Sequence, residues 1–87
     1  MPKPTFIEAE DFFRELLKEL RVARSLTQSQ LADRLGLPQS YVSKYETGER
    51  RLDFVETFFI CDALGITVED FARAFSAKSR KTGRKRG

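Results

Sequence analysis

Gln39, Ser40, Ser43 and Lys44 recur at spacings that gather them on one side of a helix, and these residues have the most to offer a ligand. Their chemistry is hydrogen bonding: an amide with donors and an acceptor, hydroxyls that serve as both, and an ammonium with three donors. Bond-breaking chemistry has little to draw on. The chain of 87 residues has no histidine and one cysteine, which excludes a His-based triad and a Cys/His zinc site. Carboxylates such as Asp33 and Asp62 are scattered, with no acid, base or nucleophile beside them in a cluster. Cys61 lies in an apolar stretch and reads as a small buried hydrophobe. These residues point to recognition without cofactor or metal, not to an enzyme.

Two short helical patterns within residues 27–46, TQSQLADRLGLPQSYVSKYE, must hold those groups in place. Thr27 and Gln30 form a capping box, in which each side chain satisfies a backbone N–H at the other's position. Leu26 and Leu31 flank that start as a hydrophobic staple. Leu31, Ala32 and Leu35 then share one face. Gly36 suits the left-handed turn past the helix end, and Pro38 suits the first turn of the next helix. Val42 and Tyr45 face back toward Leu31 and Leu35, which leaves the polar face pointing outward.

This stretch resembles the helix-turn-helix of the lambda-repressor/Cro-like family of bacterial and phage DNA-binding proteins. The likeness rests on Leu31, small Ala32 at the helix contact, Leu35, Gly36, Leu37, Val42 and Tyr45. It continues in the trailing Glu46, Gly48 and Arg50, and extends over about 13–71. It implies an all-α, five-helix DNA-binding domain, and a sequence-specific transcriptional regulator of double-stranded DNA, either a stand-alone repressor or an autoregulating controller. A helix about 10–12 Å across fits the major groove, where each base pair shows a distinct donor and acceptor pattern. By resemblance, Gln39, Ser40 and Lys44 take the base-contacting positions, and Gln28 contacts phosphate while hydrogen-bonding Gln39. Thr47 and Arg50 match the backbone clamp beyond the recognition helix, with Tyr41, Ser43 and Arg51 as further phosphate candidates. An Arg21–Glu46 ion pair would brace the recognition helix against the first. Pro38 departs from the pattern, since many members carry a capping hydroxyl there.

The remaining elements read as support. Thr5 and Glu8 cap a first helix whose inward stripe is Phe13, Leu17 and Leu20. Asp53 and Glu56 cap a fourth helix running to Leu64, with Phe54, Phe58, Cys61 and Leu64 as its core stripe. Thr67 and Asp70 cap a fifth, expected to end near Phe75. Family members usually bind near-palindromic operators as two-fold dimers. The surplus apolar residues Phe12, Leu16, Val55 and Phe59, with the fifth helix, are the expected homodimer surface. The same surplus would also suit an antitoxin-type module that holds a toxin-like protein partner and binds DNA for autoregulation.

Charge is unevenly placed. The net +3 divides into −3 over 1–77 and +6 over 78–87, while 21–51 carries a local +3. Positive charge thus collects at the proposed DNA face and the C-terminal end, as a phosphate-binding surface needs. The expected organisation is a helix-turn-helix domain over 1–77, a mobile arm over 1–4, and a basic, disordered tail over 78–87. No apolar run exceeds four residues and no secretory pattern opens the chain, so the expected location is the cytoplasm, where a lone cysteine also fits.

Overall fold

The computed structural model describes residues 5–84, and their side chains through residue 79. The expected arm over 1–4 and the last three residues of the expected tail lie outside the described residues. The chain is all-α: α1 (Phe6–Ala23), α2 (Gln28–Leu35), α3 (Gln39–Thr47), α4 (Phe54–Leu64) and α5 (Val68–Arg84). Local chemistry sets most of the boundaries. Capping boxes open α1 at Thr5 and Glu8, α2 at Thr27 and Gln30, and α4 at Asp53 and Glu56. The Thr67 hydroxyl accepts from the Asp70 N–H at 3.0 Å and starts α5. Gly36 ends α2 at φ 71°, a left-handed conformation that costs a residue with a Cβ roughly 1–2 kcal/mol.

The core is built from the inner faces of α1 to α4 and is closed by α5. Leu17, Leu31, Ala32, Val42, Tyr45, Ile60, Cys61 and Leu64 are almost completely buried. Burial holds the Cys61 thiol protonated by pushing its pKa up to about 11, so it acts as an inert packing group. Phe13 packs edge-on against Phe71 and Phe75, with ring centroids 5.8 and 6.5 Å apart, and fastens α5 across α1.

Three expectations need correction. Leu16 is a core residue at 7% exposure, so it cannot serve a dimer contact as expected; Leu16 and Leu17 are buried together because α1 is covered by both α3 and α5. The buried face of α4 is Thr57, Ile60, Cys61 and Leu64, whereas Phe54 and Phe58 of the expected stripe are exposed. The Thr57 hydroxyl donates to the Asp53 carbonyl at 2.8 Å, which lets a polar residue take the inward position without an unmet hydrogen bond. Finally, α5 continues past Phe75 to Arg84, so residues 78–84 of the expected disordered tail are helical. Ala74, Ala77 and Lys78 are strong helix formers. The Lys78 ammonium also reaches Glu19 at 3.2 Å and Glu15 at 3.6 Å on α1.

Candidate nucleic-acid interface

The α2–turn–α3 unit presents the residues singled out from the sequence. Gln39, Ser40 and Lys44 are solvent-exposed, while Val42 and Tyr45 on the opposite side of α3 are fully buried. Pro38 precedes α3 with no side-chain capping bond, and its carbonyl accepts from the Tyr41 N–H at 3.0 Å. Gly48 closes α3 at φ 89° and packs beneath Arg14; a Cβ there would meet the guanidinium carbon at 3.1 Å. Helix α3 is therefore short, with its exposed polar row outward and its inner side apolar apart from the buried Glu46 and the Tyr45 hydroxyl.

A continuous hydrogen-bonded chain runs behind that surface. Arg21 donates through Nε to Glu46 at 2.7 Å and through a terminal nitrogen at 3.0 Å, a bidentate pair. Its other terminal nitrogen donates to the Leu26 carbonyl at 2.8 Å. The two side chains are 10% and 2% exposed, so the pair is largely removed from water. The hydrogen bond to Glu46 raises the Arg21 pKa further, against the opposing effect of burial. Gln28 Nε2 donates to Glu46 at 3.0 Å, and Gln39 Nε2 donates to Gln28 Oε1 at 2.8 Å. The Gln28–Gln39 contact is thus present in the isolated chain, and its extension to Glu46 was not legible beforehand.

A second cluster stands between α3 and α4, around Tyr41 and Glu56. The Arg50 guanidinium lies 4.9 Å above the Tyr41 ring and pairs with Glu56. The Tyr41 hydroxyl donates to the same Glu56 oxygen at 3.0 Å, while the other oxygen accepts from the Asp53 N–H at 3.0 Å. The Asp53 backbone bond first, and the Arg50 bond second, hold the Glu56 carboxyl below its ordinary pKa. Burial, with the bond to Glu56, raises that of Tyr41. Sequence reasoning identified Glu56 only as a cap; its second role depends on residues that the fold brings near.

The remaining candidates are placed differently. Thr47 is exposed, and its hydroxyl donates to the Lys44 carbonyl at 3.2 Å. Ser43 is half-buried. Arg51 is not grouped with Arg50: its guanidinium donates to Glu10 on α1 at 2.9 Å. Among the described residues no group of His, Cys, Asp or Glu is arranged to hold a metal ion, and no helix is long and apolar enough to cross a membrane.

The helix-turn-helix fold is shared with known proteins. The helix-turn-helix family model matches residues 17–71. A Bacillus subtilis protein described as an uncharacterized HTH-type transcriptional regulator, YqaE, is 33% identical over 57 residues, or 66% of this chain. The chain spans about half the length of that curated relative (49%). Among solved structures, an XRE-family-like protein from Pseudomonas syringae is 40% identical with a TM-score of 0.75, over 79% of this chain and 84% of that one. The restriction-modification controller protein C.Esp1396I has a TM-score of 0.79 over 90% and 99% of the two chains, at 22% identity, a likeness of fold. With the five-helix architecture and the motif geometry, the match places this chain in the Cro- and lambda-repressor-like helix-turn-helix family.

Proposed function

We propose that the protein is a sequence-specific transcriptional regulator that lays α3 in the major groove of double-stranded DNA. The observation that carries this reading is the exposed row Gln39, Ser40 and Lys44 on a helix whose other face is sealed into the core. Glutamine pairs bidentately with adenine N6 and N7, lysine favours guanine O6 and N7, and serine serves several base edges. Gln28 keeps one amide N–H beyond its bond to Glu46, available to a phosphate near the N-terminus of α2, where backbone N–H groups favour an anion. Ser43, Thr47, Tyr41 and Arg50 supply further backbone contacts, with Arg50 and Tyr41 held together before DNA arrives. Such contacts set register and affinity, not sequence preference.

One module of this size seldom gives strong specificity alone. Two copies on a near-palindromic operator, half-sites about one helical turn apart, would supply it. The exposed α4 residues Val55, Phe58 and Phe59 support this dimer, with Leu16 now removed from it and Phe12 half-buried. Sedimentation at micromolar concentration, with and without operator, tests the dimer: a single copy per half-site with no pairing on DNA would exclude it.

Selection of bound duplexes from a random pool tests the groove assignment. Gln39→Ala is expected to weaken binding by about 1–3 kcal/mol and relax preference at one base pair. Arg50→Ala is expected to weaken all sequences alike and reduce the salt slope by about one. An unchanged preference profile in Gln39→Ala would overturn the assignment.

A further inference from the structure

Helix α5 runs beside α1 in the same direction and outlasts it. Val68 and Ala72 share a hollow with Phe6 and Ala9, Phe71 and Phe75 meet Phe13, and Lys78 meets Glu15 and Glu19. Beyond that last contact α1 adds about 6 Å of helix to Ala23, whereas α5 adds about 9 Å to Arg84. The end of α1 is also where α2 and α3 begin. Arg21 donates to the Leu26 carbonyl at 2.8 Å and shares one Glu46 oxygen with Gln28, which in turn accepts from Gln39. Glu19 and Arg21, two positions apart on α1, point to opposite sides of it. Hence α5 brings its C-terminus to the end of the molecule that carries the first residues of α2 and α3, across α1 from them.

Charge changes sign along this helix. Its first turn holds Glu69 and Asp70, and no acidic residue follows Asp70 in the sequence. Lys78 is engaged by α1, its ammonium lying between two carboxylates. After it come Arg80, Lys81 and Arg84, then Lys85 and Arg86. The chain over 1–77 carries −3, which a polyanion repels at long range, and this run reverses the sign. We propose that the C-terminal end of α5 is a second DNA contact, a basic arm that binds backbone phosphates flanking the duplex read by α3. The proposal rests on the placement of α3 in the major groove. Because α5 stands across α1 from α3, the arm lengthens the footprint on the flank reached by the N-terminus of α2. It adds affinity and salt dependence without sequence preference, since phosphates are alike along the duplex.

The test compares the full chain with the variant Arg80→Gln/Lys81→Gln/Arg84→Gln/Lys85→Gln/Arg86→Gln, with melting temperature recorded for both. Affinity for a selected duplex and for an unrelated one is measured against salt concentration. The slope of log K against log salt is expected to fall by about three, at about 0.9 per phosphate contact. Affinity is expected to fall by at least about tenfold on both duplexes, with the base-preference profile unchanged. Position is read with an iron chelate attached at Gly87→Cys, which cleaves the DNA it approaches. Cys61 is buried with its thiol held protonated, so the introduced thiol is the one that reacts. Ser29→Cys, exposed in the first turn of α2, marks the reference flank. Cuts from residue 87 are expected on that flank, outside the cuts from residue 29. An unchanged slope would make the run a solubilising terminus and overturn the proposal while leaving the groove placement standing. Cuts scattered along the duplex, or gathered on the opposite flank, would do the same. A preference profile unchanged in Gln39→Ala would overturn the groove placement, and the proposal with it.

Discussion

Replacing Arg21 by methionine tests whether α3 is held by charge or only by packing. The substitution keeps a long apolar stem and removes the guanidinium, with its two bonds to Glu46 and one to the Leu26 carbonyl. The side chains are 10% and 2% exposed, so solvent screening does not reduce the loss as it would at a surface pair. The carboxylate left behind is buried, with Gln28 as its remaining donor. Breaking a buried pair from one side costs roughly 3–5 kcal/mol, because the stranded charge keeps its desolvation penalty. A domain of this size has a total stability of roughly 4–13 kcal/mol, so the loss is a large part of it. At roughly 4–8 °C per kcal/mol, the thermal midpoint followed by circular dichroism should fall by at least about 12 °C. Removing both charges in Arg21→Met/Glu46→Leu should recover most of that, since no buried charge is then stranded and only the neutral Leu26 carbonyl and Gln28 amide lose a partner. A single-variant cost below about 1 kcal/mol, the value of a solvated pair, would refute the reasoning. A double variant no better than the single would refute it equally.

Three further outcomes follow from particular residues. The Tyr45 hydroxyl is buried without a hydrogen-bond partner, and desolvation drives its pKa well above the ordinary value. Tyr45→Phe should therefore leave stability unchanged or raise it by up to about 1 kcal/mol in urea unfolding; a loss above that would mean the hydroxyl is bonded. Ser25 holds φ 57° in the turn after α1. Ser25→Gly should gain about 0.5–1 kcal/mol, the left-handed strain relieved less the added backbone entropy, and a destabilised variant would contradict this. Glu56, with its carboxyl pKa held below the ordinary 4.5, contributes stability that is present above that value and lost as pH falls through the lower folded-state pKa. Melting temperature should thus decline less steeply below about pH 4.5 in Glu56→Gln than in the parent. Parallel declines would show that the carboxylate is uncoupled from folding.

The sequence was most legible where structure follows from neighbours along the chain. Thr27 with Gln30, and Gly36 at the turn, define the motif through contacts spanning a few residues, and the fold keeps those boundaries. The inward face of α4 could not be read the same way. From Phe54 to Leu64 only Glu56, Thr57 and Asp62 interrupt an apolar helix, so periodicity favours no single side. Thr57 turns inward because its hydroxyl is satisfied within its own helix, which no spacing rule anticipates. The length of α5 was hidden for another reason: the partners of Lys78 are Glu15 and Glu19, far away in sequence on α1.

The site divides along the same line, and two carboxylates show why. Glu56 caps α4 through one oxygen, which is local and readable, and gathers Tyr41 and Arg50 through the other, which requires the folded chain. Glu46 closes α3 in sequence terms, yet its oxygens also join Arg21 from α1 and Gln28 from α2. Each carboxylate ties a helix end to side chains of the proposed DNA-facing surface, so residues behind that surface hold it in shape. Substituting the exposed Lys44, a proposed base contact, should then change sequence preference with little change in stability. Substituting Glu46 or Glu56 should change both, because the contacts that orient the readers are among those that hold the helices in place.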